Sequence, residues 1–195
     1  TLSKHSASVS ESGSVDAFTV VLAAQPNSNV VVAIVSGDAG EANVSPATLT
    51  FAPAAWNVPQ TVTATGVNDW LIDGSQTTSV TVSVVDAASD DDFDAVADQS
   101  VSVTTADDDA AGFTLNKTAV TVAESGTTAT FTVALAAQPD TDVVLEVSSG
   151  DVGEAVASPN LLTFTPAGWN VPQTVTVTGV DDWRIDGSQL TQLTV

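Results

Sequence analysis

Trp56-Asn57-Val58-Pro59-Gln60-Thr61-Val62-Thr63 returns without a change at Trp169-Asn170-Val171-Pro172-Gln173-Thr174-Val175-Thr176. The match extends outward at a constant offset of 113 residues and needs no gap. Upstream, Leu22-Ala23-Ala24-Gln25-Pro26 matches Leu135-Ala136-Ala137-Gln138-Pro139, and Glu11-Ser12-Gly13 matches Glu124-Ser125-Gly126. Downstream, Ile72-Asp73-Gly74-Ser75-Gln76 matches Ile185-Asp186-Gly187-Ser188-Gln189. Self-similarity of this extent marks a repeat array, and a period this long is a whole domain, not a solenoid unit. Repeat one spans residues 1–113 and repeat two residues 114–195. Nothing in the chain matches residues 83–113 a second time.

The repeated stretch also sets the type of secondary structure. After Pro59, polar and apolar residues alternate with period two, which puts one face of a strand in a core. The same alternation between turn formers predicts strands at 6–10, 15–23, 30–36, 48–51, 60–67, 77–85 and 99–105. The separators carry Gly, Pro, Asn and Asp, each a turn former for its own reason. Seven short strands in a repeat of this size predict an all-β fold, tandem seven-stranded Greek-key sandwiches of immunoglobulin-like form. The second is incomplete, lacking the end of its sixth strand and its seventh.

Composition narrows the function. The 195 residues hold 24 acids against three bases (Lys4, Lys117 and Arg184), a net charge of −21. Nucleic acid is excluded as a partner, because binding phosphates takes Lys and Arg to release counterions. Anionic membrane surfaces are excluded for the same reason, and cations are the natural partners. No stretch approaches the ~18–20 apolar residues of a membrane span, so membrane insertion is not expected. The first residue is Thr1 and no signal peptide is present, so the chain is expected to be an internal piece of a longer protein. Zero cysteine fits a secreted protein reinforced by metal instead of disulfides.

Strand order then sorts the acids. Successive strands of a sandwich run in opposite directions, so alternate connections emerge at the same pole. One pole receives Glu11, then Asp38 and Glu41, then Asp69 and Asp73, and finally Asp107, Asp108 and Asp109 after the last strand. In repeat two it collects Glu124, Asp151, Glu154, Asp181, Asp182 and Asp186. Two carboxylates ~4 Å apart repel by about 1 kcal/mol in water and about 4 kcal/mol at an effective dielectric of 20. A hard divalent ion removes that repulsion, and ligation by oxygen alone suits Ca²⁺ better than zinc. The competing account is a solvated acidic surface of the kind that suits high salt.

The chain resembles the Calx-beta family on Val9-Ser10-Glu11-Ser12-Gly13 with Phe18-Thr19-Val20, on Leu49-Thr50-Phe51, on Gln60-Thr61-Val62-Thr63, on Asn68-Asp69 and on Asp107-Asp108-Asp109. The resemblance implies calcium at one pole of the sandwich. It implies Glu11, Asp38, Asp69, Asp73, Asp107, Asp108 and Asp109 as ligands in repeat one, and Glu124, Asp151, Asp182 and Asp186 in repeat two. Two departures stand out. The family usually has more acid where this chain has Trp70-Leu71-Ile72, and Asp181 replaces Asn68.

Trp56, Trp70, Trp169 and Trp183 read as plugs for the ends of the cores, or else as a sugar-binding surface. The run Ser89-Asp90-Asp91-Asp92-Phe93-Asp94 lies at the opposite pole and reads either as a second ion site or as a solvated turn. Catalysis has no motif to rest on: His5 is the sole histidine, and neither a phosphate-cradling glycine loop nor a zinc motif is present. The sequence therefore predicts a non-enzymatic, calcium-stabilised extender of a secreted or cell-surface protein. Its partners would be neighbouring repeats and other copies of the chain. Two alternatives remain open: a self-assembling extracellular filament or surface layer built by strand addition between chains, and an adhesive module that binds carbohydrate or another cell.

Overall fold

The computed structural model describes residues 1–185 and 187–195. The chain divides into two units. The first comprises Thr1–Asp69 and Asp73–Asp108; the second comprises Asp109–Val195 together with Trp70–Ile72.

The first unit contains β1 (Ser6–Ser10), β2 (Val15–Val20), β3 (Val30–Ser36), β4 (Ala42–Ser45), β5 (Thr48–Phe51), β6 (Gln60–Gly66), β7 (Gln76–Val84) and β8 (Gln99–Ala106). Each of the seven segments predicted from alternation is a strand. The second stops early, at Val20, where its ladder ends opposite Gln60. The next residue of the facing strand is Pro59, which has no N–H to give.

Ala42–Ser45 forms a strand where the sequence suggested only a loop. It runs antiparallel to β6, while β5 runs antiparallel to β3. The two are therefore one traverse of the sandwich that changes sheets at Pro46, again a residue that cannot donate to a ladder. Four residues were too few to show an alternation. The unit thus has eight strands making seven traverses, and the sequence reading of seven strands is corrected on that point.

The strands form two sheets, in the orders β1-β8-β7-β3-β5 and β2-β6-β4. Every pairing is antiparallel except β1 with β8, which is parallel. That exception follows from the odd number of traverses, since the first and seventh point the same way. Phe18, Val20, Ala42, Val62 and Ala64 of the smaller sheet face Val30, Val32, Ile34, Leu49, Phe51, Val80 and Val101 of the larger, all buried in one core. Asp90 ties down the connection between β7 and β8. Its buried carboxylate accepts the backbone N–H groups of Asn27 and Ser28, both at 2.6 Å, and of Asp92 at 3.1 Å. These bonds hold the Asp90 carboxyl below its ordinary value, the Ser28 bond most of all. Within the acidic run, Asp90 serves as a strut for its own connection.

The second unit contains β9 (Phe113–Leu115), β10 (Thr128–Leu135), β11 (Val143–Glu146), β12 (Ser148–Ser149), β13 (Ala155–Ser158), β14 (Leu161–Phe164), β15 (Gln173–Gly179) and β16 (Leu193–Thr194). A four-stranded sheet in the order β13-β15-β10-β9 stands beside two-stranded pairs β11-β14 and β12-β16. The registers repeat those of the first unit. Phe131 faces Val175 as Phe18 faces Val62, and Ala155 faces Gly179 as Ala42 faces Gly66.

One element of the repeat fails to form. Residues 119–123 match β1 but are not a strand. In the first unit β1 pairs with β8, and residues 114–195 include no counterpart of Gln99–Ala106. Val120 and Val122 are therefore less buried than their counterparts Ala7 and Val9. They line an open groove of about 850 Å³ with Leu190 and Leu193.

Candidate metal centre

The ladders that build the first core also deliver its acids. β1 and β8 end level, with Ser10 opposite Ala106, and the Glu11 N–H donates to the Ala106 carbonyl at 3.1 Å. Glu11 and Asp107 therefore leave the sheet side by side. At the other sheet, Ala42 lies opposite Gly66, and the Val67 N–H donates to the Glu41 carbonyl at 2.9 Å. That bond sets Glu41 beside the segment leading to Asp69. The Thr105 hydroxyl donates to the same Glu41 carbonyl from the facing sheet, at 3.1 Å. Asp107 accepts the Gly74 N–H at 2.9 Å and so ties the end of β8 to the β6–β7 loop. Gly74 has φ +74°, a left-handed turn that glycine makes without a steric penalty.

Two groups of carboxylates result. Glu41, Asp69 and Asp73 each present an oxygen, all within 4.8 Å of one another. Glu11, Asp108 and the next residue of the chain, Asp109, form a second such group. Glu11 is 3% exposed. Glu41 Oε2 is shielded from solvent and has no hydrogen-bond partner. Burial pushes the Glu41 carboxyl above its ordinary value, and the negative charges of Asp73, Asp69, Asp38 and Asp107 push it further. Lys4 and Arg184 pair elsewhere, with Asp16 and Asp182.

The donor set fits a hard divalent cation. It is all oxygen, it is anionic, and one buried oxygen lacks the hydrogen bond that such atoms nearly always have. Glu41, Asp69 and Asp73 would hold the ion, which would supply positive charge to a cluster that otherwise repels itself.

The predicted ligands separate into three sets. Asp69 and Asp73 meet around Glu41, while Glu11, Asp108 and Asp109 meet one another. Asp38 and Asp107 belong to neither group. Asp38 caps its own loop by accepting the Gly40 N–H at 2.8 Å, although its charge still reaches Glu41. In the second unit, Glu124, Asp151 and Asp182 join no such group among the described residues. Asp151 caps Gly153 as Asp38 caps Gly40, and Asp182 accepts the Arg184 N–H at 2.9 Å. Asp186 lies outside the described residues. Glu41 was placed at this pole by strand order but left out of the ligand set. Its match with Glu154 in the repeat was the only signal, and sequence does not display burial.

The pH response of the metal-free chain follows from these shifts. The folded state holds Glu41's proton more tightly than the unfolded chain, so this group adds stability as pH falls from neutral through its raised value. Asp94, raised by burial and by its acidic neighbours, acts in the same direction. Asp16 is held low, chiefly by its bond from Lys4, and Asp90 by backbone N–H groups. Their contribution is lost at lower pH, as they take up protons. Melting curves between about pH 7 and pH 3 are expected to show greatest stability in the mildly acidic range. Glu41→Gln should flatten the rise on the neutral side; a monotonic decline from neutral pH in the parent chain would contradict the assignment.

No protein-family model matches the chain, and no curated protein matches it. Solved structures that are similar include the calcium binding domain CBD12 of CALX1.1, at 14% identity and a TM-score of 0.40, covering 91% of this chain and 74% of that one. They also include the E. coli chaperone DraB, at 7% identity and a TM-score of 0.42, covering 94% and 87%. The YadV chaperone is similar at 12% identity and a TM-score of 0.42, covering 100% and 98%.

Proposed function

We propose that this chain is a non-catalytic, calcium-stabilised extender of a secreted or cell-surface protein, made of tandem Greek-key sandwiches of the Calx-beta kind. The observation that carries the proposal is Glu41. Its shielded oxygen has no hydrogen-bond partner and stands with oxygens of Asp69 and Asp73, all within 4.8 Å of one another. Calcium there neutralises the pole, orders the β6–β7 loop between Asp69 and Asp73, and stiffens the array. At extracellular calcium, modules of this type bind with dissociation constants of ~10⁻⁴–10⁻³ M. Calorimetric titration tests it: saturable heat with calcium, weaker heat with magnesium and none with sodium at matched ionic strength support the proposal. A response to ionic strength alone rejects it in favour of a salt-adapted surface. No helix among the described residues is long and apolar enough to cross a membrane.

A further inference from the structure

Two steps of the chain join Asp directly to Gly, Asp73–Gly74 and Asp186–Gly187. At such a step the glycine nitrogen can reach the carboxyl carbon of the preceding side chain, because no β-carbon shields its approach. A regular strand holds the two atoms apart, so the reaction belongs to loops. Asp73–Gly74 lies between β6 and β7, outside any strand, and both residues are exposed. Gly74 has φ +74°, and a β-carbon built on it would meet nothing within 4 Å among the described residues. Solvent therefore reaches both reacting groups.

Hydrogen bonds restrain the step on both sides. The Gly74 N–H donates to Asp107 at 2.9 Å, which fixes the plane of the peptide that must turn. The Asp73 carbonyl accepts the Gln76 side-chain amide at 3.1 Å. The Asp73 carboxylate faces a different balance. One of its oxygens lies with those of Glu41 and Asp69, all within 4.8 Å of one another, and like charges at that distance repel. Without an ion, repulsion turns the Asp73 side chain away from the cluster and frees it to approach the Gly74 nitrogen. An ion draws the carboxylate inward and holds its carbon out of reach.

We propose that Asp73–Gly74 is a site of spontaneous isoaspartate formation, held in check by a cation bound to Glu41, Asp69 and Asp73. The inference rests on the calcium reading and adds a chemical consequence of losing the ion. A bond forms from the Gly74 nitrogen to the Asp73 Cγ and one Cγ–O bond breaks. The amide proton and the departing oxygen, joined by a proton from solvent, leave as water. Water then opens the cyclic imide. Attack at Cγ restores aspartate, whereas attack at the main-chain carbonyl leaves Gly74 joined through Cγ. No reactant besides water is consumed. The isomer has an extra carbon in its main chain and carries its carboxylate directly on Cα. Both changes pull the oxygen away from Glu41 and Asp69, so calcium affinity falls and a lapse in calcium becomes permanent with time.

Ageing the whole chain at neutral pH, in chelator and in calcium at matched ionic strength, tests the inference. Proteolytic mapping separates isoaspartate at residue 73 from isoaspartate at residue 186. In chelator, residue 73 is expected to convert faster than any aspartate not followed by glycine. With calcium at about 100 times its dissociation constant, about one chain in a hundred is metal-free, so conversion there should slow by more than about tenfold. Asp73→Glu, whose longer side chain must close a larger ring, should remove the signal. The aged chain, returned to calcium, should lose its calcium-induced melting shift in proportion to the isomer present. Absence of isomer at residue 73 in chelator overturns the inference, whatever calcium does, and so does a signal that persists in Asp73→Glu. Equal conversion in chelator and calcium overturns it where calorimetry shows calcium bound; where calorimetry shows none, the calcium reading itself falls and takes the protection with it.

Discussion

Calcium at about 100 times its dissociation constant is expected to raise the melting temperature of the first unit by about 10 °C or more. A ligand that binds only the folded state at that excess stabilises it by about 2.7 kcal/mol, and 1 kcal/mol shifts the melting of a domain of this size by roughly 4–8 °C. Glu41→Gln separates this from general screening because it acts in opposite directions. Without metal at neutral pH, it removes a charge whose proton affinity is raised by burial and by Asp73, Asp69, Asp38 and Asp107, so the variant should melt above the parent chain. With metal, it removes a ligand, and most of the calcium response should vanish. Sodium screens exposed charges beyond about 8–10 Å near physiological ionic strength but reaches a buried oxygen poorly. If sodium reproduced the calcium shift, or if Glu41→Gln left it intact, the metal centre would be wrong.

Gly66→Ala should destabilise the first unit by about 3 kcal/mol, at the upper end of what overpacking usually costs. A β-carbon at Gly66 would collide with the Ser10 carbonyl oxygen and stand 2.7 Å from its carbon and 3.2 Å from the Ser10 nitrogen. All three are backbone atoms and neither side can retreat. Ser10 is fixed by the β1–β8 ladder, and Gly66 by its pairing with Ala42 and its N–H bond to the Ser14 carbonyl. Relief means prying apart the ends of β1 and β6, which also separates Glu11 from the rest of the pole, so calcium affinity should fall with stability. Gly179 meets Ala123 at the same distances, but residues 119–123 are not held in a sheet. Gly179→Ala should therefore cost distinctly less. Denaturant unfolding of both variants checks the pair; a Gly66→Ala loss within about 0.5 kcal/mol of zero, the range of ordinary surface substitutions, would show that the close approach is soft.

Much of this architecture could be read in advance because period two is a local property. Thr61-Val62-Thr63-Ala64 alternates whatever lies around it, and the β6 strand it predicts is there. Ala42–Ser45 could not be read, because four residues hold too little alternation and its partner β6 is distant in the chain. The acids at the pole were legible through parity: counting traverses placed Glu11, Asp69, Asp73 and Asp107 at one end, and the parallel β1–β8 pair is the same count expressed as a register. Parity assigns a pole, however, and a ligand is set by a few ångströms. Asp38 turned back on Gly40, Asp90 turned inward to Asn27 and Ser28, and Glu41, passed over as a ligand, holds the oxygen with no partner.

By itself the sequence determined that this chain is built of β-strands, that it repeats, and that it is strongly acidic, because alternation, self-similarity and composition need no knowledge of what touches what. Which carboxylates meet and which glycine admits no side chain were decided by tertiary structure alone. Those properties depend on distances between residues far apart in the chain, and such distances exist only once the two sheets have closed on their core.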